Sequence, residues 1–320
     1  MEYRNLGKTG LVVSRLCFGA LTVGPLQARL SPEDGAKVIR TALNGGVNFI
    51  DTAEIYGTDP HIRKAIIGGS SESDGRDIII ASKSYAYTYQ GMETSLMKAI
   101  SELNVDSMGI FLMHEQESYL TIKGHWDALR ALVDAKKKGL VRAVGISTHA
   151  IDAVKAAAEI DEIDVIQPLI NLTGLGILDG TIEEMIDALQ VAADRGKGIY
   201  AMKALGGGNL LNRYDEAVAF IKGLEFVHSV AVGMQTVEEV QMNLRVFSGE
   251  EVSENLKKKI SRQTRQLIID EWCEGCGACV KRCPQGALTL RHGKAVVSSE
   301  KCLLCGYCAS VCRDFYIKVI

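Results

Sequence analysis

The chain has 320 residues, of which 47% are hydrophobic and 23% charged, a balance typical of a globular protein with a large core. Its formal net charge is −3, from 36 basic and 39 acidic side chains, which excludes a general electrostatic affinity for nucleic acid or anionic membranes. The first ten residues lack the apolar stretch of a signal peptide, and no run of about 18 apolar residues predicts a transmembrane helix. We therefore expect a cytoplasmic protein that binds neither nucleic acid nor membranes.

The first 250 residues alternate short apolar runs with amphipathic helical stretches. Eight runs predict strands: Leu16–Leu21, Asn48–Asp51, Ile78–Ser82, Met108–His114, Ala143–Ser147, Val165–Leu169, Ile199–Met202 and Ser229–Val232. Helix caps are predicted at Ser31 and Thr236. Eight strand–helix repeats of this length favour a (β/α)8 TIM barrel. A doubly wound sheet is the alternative, but it would favour a GxGxxG turn after the first strand, and Gly19–Gly24 has none.

The chain divides into three segments. Residues 1–248 are expected to form the barrel, with a hairpin at residues 1–15 that turns at Gly7–Gly10 and closes the barrel floor. Residues 249–267, rich in lysine and arginine, predict a connecting helix. Residues 268–320 form a small second domain that carries most of the cysteines.

Eight of the nine cysteines fall in two closely spaced runs near the end of the chain. The spacing C-x2-C-x2-C-x3-C, with a proline after the first run, is typical of bacterial iron–sulfur proteins. A disulfide framework is disfavoured because nothing indicates secretion. Two zinc sites remain an alternative, but the repeated spacing favours iron–sulfur clusters. The two runs are Cys273, Cys276, Cys279 and Cys283, and Cys302, Cys305, Cys308 and Cys312.

This second domain resembles the α+β fold of a bacterial ferredoxin with two [4Fe–4S] clusters. The resemblance implies that the fourth cysteine of each run ligates the cluster of the other run. One cluster would then use Cys273, Cys276, Cys279 and Cys312, and the other would use Cys302, Cys305, Cys308 and Cys283. The runs Ala287–Leu290 and Lys294–Val297 predict a hairpin beside the clusters.

Four chemically capable residues lie at the predicted carboxyl ends of barrel strands, where barrel active sites form. Asp51 and Tyr56 follow the second strand in FIDTAEIYG, Lys83 lies in ASKS and His114 in FLMH. Together with GIST and GMQTVEEVQMN, these segments resemble the aldo-keto reductases over residues 1–248. The resemblance implies that Tyr56 is the general acid for a substrate carbonyl and that Lys83 lowers the pKa of this phenol. Asp51 would orient Lys83, and His114 would position the carbonyl.

The same resemblance implies a nicotinamide cofactor, NADP(H) or NAD(H), with several departures from the family pattern. Met202 replaces an aromatic residue that stacks on the nicotinamide, and Gln235 replaces a basic partner of the 2′-phosphate, for which Lys203 is a candidate substitute. Thr148 replaces an asparagine. The candidate cofactor residues are Ser147, Gln167, Met202, Lys203, Leu205, Gly233, Gln235, Glu239 and Asn243.

Two functions are compatible with these features. The first is an iron–sulfur-containing oxidoreductase that interconverts small carbonyl compounds and alcohols with NAD(P)H. The alternative is a ferredoxin-type electron-transfer protein whose barrel uses a flavin or electrons from a redox partner protein. It is motivated by the departures from the family pattern in the nicotinamide pocket. Clusters also pass single electrons, whereas hydride transfer moves two together. Clusters that only stabilise the end of the chain are a third interpretation.

Overall fold

The computed structural model describes residues 1–67, 77–261 and 265–320. The chain begins with an antiparallel hairpin of β1 (Tyr3–Asn5) and β2 (Val12–Ser14). Leu6 and Leu11, which flank its turn, are fully buried in one cluster with Phe49 at the start of a barrel strand. The hairpin therefore closes the amino-terminal end of the barrel, as predicted.

Eight parallel strands form a closed barrel in chain order, and the last strand pairs with the first. The strands are β3 (Leu16–Gly19), β4 (Phe49–Asp51), β5 (Ile79–Ser84), β6 (Met108–Met113), β7 (Val141–Thr148), β8 (Val165–Pro168), β9 (Gly198–Met202) and β10 (Ser229–Gly233). All eight predicted strands and the (β/α)8 barrel are confirmed. The first strand ends early because residues 20–23 fold into a 3₁₀ turn.

Helices follow every barrel strand and cover the outside of the sheet. They are α1 (Pro32–Asn44), α2 (Asp59–Ile67), α3 (Tyr89–Leu103), α4 (Tyr119–Gly124), α5 (Trp126–Lys137), α6 (Ile151–Glu159), α7 (Ile182–Asp194), α8 (Tyr214–Gly223) and α9 (Val237–Phe247). The predicted caps are confirmed: Ser31 Oγ accepts the Asp34 N–H at 3.1 Å, and Thr236 Oγ1 accepts the Glu239 N–H at 3.2 Å. No helix within the described ranges is long and apolar enough to cross a membrane.

The remainder of the chain forms a small α+β domain. A connecting helix, α10 (Glu254–Ser261), comes first and contacts α9 of the barrel. The domain itself contains β11 (Leu267–Ile269), α11 (Ala278–Arg282), β12 (Leu288–Arg291), β13 (Lys294–Val297) and β14 (Ile317–Val319). Strands β12 and β13 pair antiparallel, which confirms the predicted hairpin. Strands β11 and β14 also pair antiparallel, so the domain closes on its own two ends.

The predicted connecting helix over residues 249–267 is only partly correct. The helix α10 is shorter than predicted, and residues 262–264 lie outside the described part of the chain. Leu267 begins a strand instead of ending a helix. The physical reason is its pairing with β14, a partner some fifty residues away that local sequence does not reveal.

The C-terminal domain packs on the carboxyl end of the barrel. The Ile317 carbonyl oxygen accepts a hydrogen bond from Asn209 Nδ2 at 3.0 Å. The ring of Phe315 is buried against Leu169 and Met202, which belong to barrel strands or their ends. The domain therefore forms one wall of the region where the predicted catalytic residues lie.

Candidate active site

Asp51 and Lys83 form a buried ion pair at the carboxyl ends of β4 and β5. Lys83 Nζ lies 2.8 Å from Oδ1 and 2.9 Å from Oδ2 of Asp51, and it donates to the Thr52 carbonyl oxygen at 2.8 Å. Lys83 is 1% exposed, so protein acceptors rather than water hold its ammonium group. Because an unpaired buried charge is strongly unfavourable, each partner sustains the charge of the other.

Two further donors orient the Asp51 carboxylate. Gln167 Nε2 donates to Oδ1 at 2.9 Å, and the Tyr200 hydroxyl donates to the same oxygen at 3.0 Å. Tyr200 was not predicted from the sequence. The sequence does contain one indication, a tyrosine inside an apolar strand. A buried hydroxyl requires a hydrogen-bond partner, so such a tyrosine predicts a polar group nearby. Asp51 therefore joins side chains from three other strands of the barrel.

Tyr56 ends a short 3₁₀ turn, after which Gly57 adopts a left-handed conformation with φ 63°. The Tyr56 ring centroid lies 5.0 Å from Lys83 Nζ. Burial raises the pKa of Tyr56 well above its usual value, and the Asp51 carboxylate raises it further. The net shift is upward because burial dominates, and the expected lowering of this pKa by Lys83 stays a prediction. Tyr56 carries its proton at neutral pH, as a proton donor must.

His114 lies just beyond β6, between two tyrosine rings. Its ring contacts Tyr56 edge-on at a centroid distance of 5.9 Å and stacks on Tyr85 at 4.2 Å. Burial lowers the pKa of His114 well below its usual value, and the positive charges of Lys83 and Lys203 add to the shift. The imidazole is therefore neutral at pH 7 and has one N–H donor. The structure thus brings all four predicted catalytic residues together.

A pocket of about 440 Å³ begins at Tyr56 and Asp51 and extends to the start of α9. Its lining includes every predicted cofactor residue except Ser147, namely Gln167, Met202, Lys203, Leu205, Gly233, Gln235, Glu239 and Asn243. The hydroxyl of Ser147 instead accepts a hydrogen bond from the Glu115 backbone N–H at 2.8 Å. Two of the predicted catalytic residues, Asp51 and Tyr56, therefore share one pocket with eight of the nine predicted cofactor residues.

Gln167 gives this pocket a buried acceptor without a partner. Its Nε2 is bound to Asp51, while its Oε1 is buried and accepts no hydrogen bond from the described residues. Such an unpaired acceptor costs about 1–3 kcal/mol, so a ligand N–H that reaches it is favoured. The primary carboxamide of nicotinamide carries this kind of donor, and Gln167 therefore fits it.

Met202 differs from the other pocket residues because a second domain covers it. Its side chain is 8% exposed and packs with Leu169 and Phe315. A thioether has no flat aromatic face, so this position contributes an adaptable apolar contact and no ring for stacking.

The far end of the pocket contains both an acidic and a basic group. The Glu239 carboxylate accepts the Gln235 N–H at 2.6 Å and pairs with Arg265. Asn243 Nδ2 donates to the Glu239 carbonyl oxygen at 2.9 Å, and its Oδ1 accepts from the Tyr214 hydroxyl at 2.8 Å. Arg265 was not predicted from the sequence, because nothing local distinguishes it from the other basic residues near α10.

The eight C-terminal thiols fall into two groups of four. Burial raises the pKa of Cys279, and the nearby Cys312, Cys273 and Cys276 raise it further. The second group lines a single cavity: Cys283, Cys302, Cys305 and Cys308. These groups match the two ligand sets that the ferredoxin resemblance implies. Within the described ranges, no three His, Cys, Asp or Glu side chains are arranged to share a single metal ion.

Backbone N–H groups point at the cysteine sulfurs. Donors at Ala295, Ala287 and Tyr316 lie 3.5, 3.4 and 3.3 Å from Sγ of Cys273, Cys283 and Cys312, respectively. Such hydrogen bonds favour the thiolate form and tune the reduction potentials of iron–sulfur clusters. The sulfur atoms are therefore suited to ligate clusters.

Comparison with known families gives two matches along the chain. Residues 15–223 match the family described as the aldo/keto reductase family. Residues 266–313 match the 4Fe-4S dicluster domain. The two matches fall on the barrel and on the cysteine-rich domain, and they confirm the fused arrangement.

Curated relatives share part of the barrel. The oxidoreductase YrpG of Bacillus subtilis is 27% identical over 230 residues, covering 66% of this chain and 68% of the relative. The 6-dehydroglucose reductase of Novosphingobium aromaticivorans is 29% identical over 169 residues, covering 48% and 54%. The L-galactose dehydrogenase of Arabidopsis thaliana is 24% identical over 219 residues, covering 66% and 67%. The chain thus spans about half to two thirds of these relatives.

Solved structures share the barrel fold. The holo form of the aldo-keto reductase AKR11C1 from Bacillus halodurans superposes with a TM-score of 0.64 at 17% identity, covering 82% of this chain and 96% of that one. The thermostable aldo-keto reductase Tm1743, in complex with the inhibitor epalrestat, gives 0.60 at 23% identity, covering 81% and 98%. At these identities the likeness establishes the fold alone.

Proposed function

Because the chain belongs to the aldo/keto reductase family, we propose that it is an iron–sulfur-containing oxidoreductase that interconverts small carbonyl compounds and alcohols with NADH or NADPH. In this proposal Tyr56 is the general acid. Lys83, Asp51 and His114 support it in the same barrel mouth.

One observation carries the proposal: the proton donor and the unpaired amide acceptor open into the same pocket. Tyr56 and Gln167 both line it, and Asp51 connects them through Lys83 on one side and Gln167 on the other. A hydride-transfer site has to hold the substrate carbonyl next to the nicotinamide. In this proposal Tyr56 holds the carbonyl and Gln167 holds the carboxamide of the nicotinamide.

The side chains have distinct tasks in this proposal. A bound nicotinamide supplies the hydride. Tyr56, protonated at neutral pH, donates its proton to the carbonyl oxygen. Lys83 places a cation beside the ring and stabilises the negative charge that develops as the proton leaves. The neutral imidazole of His114 donates a hydrogen bond that positions the carbonyl without competing for its proton.

We further propose that the C-terminal domain holds two [4Fe–4S] clusters. Their ligands are Cys273, Cys276, Cys279 and Cys312 for one, and Cys283, Cys302, Cys305 and Cys308 for the other. The grouping of the thiols in space supports these sets. Because about fifty residues bury little apolar surface, the clusters would also form much of the core of the domain.

A second function, electron transfer between the clusters and a flavin in the barrel, is supported by one contact. Phe315 follows the ligand Cys312 by three residues, and its N–H donates to the Cys312 carbonyl oxygen at 3.2 Å. The same ring packs on Met202, which lines the pocket. The cluster ligand and the pocket are therefore linked through one aromatic side chain.

Steady-state kinetics with reconstituted protein test the primary proposal. Wild-type protein should reduce members of an aldehyde and ketone panel with NADH or NADPH. Tyr56→Phe should lower kcat by about two orders of magnitude or more, because it removes the proton donor. Tyr119→Phe, an exposed tyrosine on α4, is the matched control and should retain full activity. Equal rates for wild type and Tyr56→Phe would contradict the proposal.

A further inference from the structure

The barrel and the C-terminal domain each place one lysine at the same buried aromatic ring. The Lys203 ammonium lies 5.1 Å from the centroid of Phe315, and the Lys318 ammonium lies 4.0 Å from it. Lys203 follows β9 of the barrel, whereas Lys318 lies in β14. Both side chains line the pocket that holds Tyr56. The two domains therefore build this part of the pocket wall together.

These two lysines, one buried and one half-buried, lie near two carboxylates that are partly exposed. Lys318 is 8% exposed, and its Nζ lies 3.4 Å from Oδ2 of Asp270. Lys203 Nζ lies 2.6 Å from Nε2 of His149, and burial lowers the pKa of that imidazole so that it is neutral. Glu115 is a second carboxylate near these lysines, with Oε1 3.8 Å from His149 Nε2. Both carboxylates are partly exposed and screened by water, whereas the lysines line the pocket.

This arrangement makes the Lys203 ammonium group easier to deprotonate. Burial lowers the pKa of Lys203 to about 7, and the like charge of Lys318 adds to the shift. Burial likewise lowers the pKa of Lys318, which Asp270 partly offsets. An anion bound at this wall would favour the charged form of both lysines.

Lys318 reaches the pocket across a barrel turn that has no side chain. A Cβ atom at Gly207 would lie 2.6 Å from Cδ of Lys318, and Gly207 itself adopts φ 60°. A residue with a side chain would therefore displace the lysine and would be strained in this conformation. The glycine turn accommodates the lysine stem.

We propose that Lys203 and Lys318 form an anion-binding subsite of the barrel pocket, completed by the iron–sulfur domain, for a phosphoryl or carboxylate group of the bound ligand. This chemistry has two sources: the diphosphate of a dinucleotide, and a carboxylate on the carbonyl substrate. The identity of the ligand rests on the proposed function, but binding of the anion does not require hydride transfer.

Isothermal titration calorimetry with two pairs of probes tests the subsite. Adenosine lacks the diphosphate and the terminal ribose of ADP-ribose, and methyl pyruvate lacks the free carboxylate of pyruvate. If the diphosphate is the anion, Lys318→Met and Lys203→Met each lower the affinity for ADP-ribose by about tenfold or more and leave the affinity for adenosine unchanged. If the substrate carboxylate is the anion, the same variants lower the affinity for pyruvate and leave the affinity for methyl pyruvate unchanged.

Two control variants separate the charge from general damage. Lys318→Arg keeps the positive charge and should retain most of the affinity for the anionic probe. Lys301→Met removes an exposed lysine of the same domain and should change nothing. Cluster absorbance and thermal stability establish that each variant is folded, and Lys203→Met provides the test should Lys318→Met fail to fold.

The inference is overturned if both methionine variants bind the anionic probes as tightly as wild type. It is also overturned if the methionine variants lose affinity for anionic and neutral probes equally, since that indicates general loss of the pocket. Calorimetry of Tyr56→Phe distinguishes the two proposals. If only the proposed carbonyl reduction fails, ADP-ribose still binds in a manner that depends on the two lysines. If only the subsite fails, carbonyl reduction remains while the lysine variants bind ADP-ribose as tightly as wild type.

Discussion

The backbone of Gly208 contacts the backbone of Val319 so closely that a Cβ atom at Gly208 would lie 1.9 Å from the Val319 carbonyl oxygen. Gly208 also adopts φ 86°, which disfavours any residue with a side chain. This contact joins the turn after β9 to the last strand of the C-terminal domain. Docking of the second domain therefore explains Gly207 and Gly208 in the sequence AMKALGGG.

Gly208→Ala should loosen this docking. The clash and the left-handed conformation together should lower the free energy of unfolding by roughly 1–3 kcal/mol. Urea unfolding and limited proteolysis of the C-terminal domain measure the effect. Gly223→Ala is the matched control, since a Cβ there meets no atom of the described residues within 4 Å. Equal stability of the two variants would contradict the docking contact.

Lys83→Met should destabilise the barrel and abolish turnover, because it leaves the Asp51 carboxylate buried without its cation. The expected loss is about 3–5 kcal/mol of unfolding free energy. The double variant Asp51→Asn with Lys83→Met should recover most of that stability, since a neutral amide needs no cation, yet remain inactive. Urea unfolding together with the reductase assay separates the structural and catalytic roles. Wild-type stability of Lys83→Met would show that the pair is not a buried ion pair.

Asp59 should make the stability depend on pH. It is 5% exposed, and burial beside Glu102 raises its pKa to about 7. Because the pKa of an unfolded aspartate is about 3.9, the folded state binds more protons between these values, and stability falls as pH rises from about 4 to 7. Asp59→Asn removes this penalty, so its advantage over wild type should grow by roughly 1–3 kcal/mol between pH 5 and pH 8.

Urea unfolding at pH 5 and pH 8 measures this difference. Asp187→Asn, at an exposed position on α7, is the control. The difference between its unfolding free energy and that of wild type should be the same at pH 5 and pH 8. An advantage of Asp59→Asn that does not change with pH would contradict the raised pKa.

The proposed sharing of cluster ligands predicts which cysteine variants resemble each other. Cys312→Ser should lose the same cluster as Cys276→Ser, and Cys283→Ser the same cluster as Cys305→Ser. Each variant should retain about four of about eight iron atoms per chain. Iron analysis and electron paramagnetic resonance of the reduced protein measure this. Cys17→Ala, at a buried position in β3, should retain all the iron.

If Cys312→Ser instead resembles Cys305→Ser, each run ligates its own cluster. Unchanged iron content in all four variants would contradict cluster ligation by these thiols altogether.

Local sequence patterns were sufficient for the barrel and for the four residues at its mouth. The alternation of apolar strands and amphipathic helices is a local property, and the carboxyl ends of parallel strands must meet at one end. Asp51 and Lys83 are 32 residues apart, yet their strands are neighbours, so their contact followed from the barrel alone.

Features that depend on contacts between the two domains could not be predicted in this way. The strand at Leu267, the burial of Met202 under Phe315, and the position of Lys318 all arise from how the C-terminal domain packs. Tyr200 was missed for a related reason, because its partner Asp51 lies 149 residues away. The pKa of Tyr56 also depends on burial, which motif spacing does not reveal.

Transfer of isotope from the cofactor is the measurement that tests the central claim most directly. The holoprotein is supplied with NADH or NADPH that carries deuterium at both C4 positions, and the alcohol product is analysed by mass spectrometry and NMR. If the barrel performs hydride transfer with Tyr56 as acid, the deuterium should appear on the carbinol carbon of the product. A product that carries hydrogen from solvent at that carbon, while reduction continues, would contradict the account and indicate electrons delivered through the clusters.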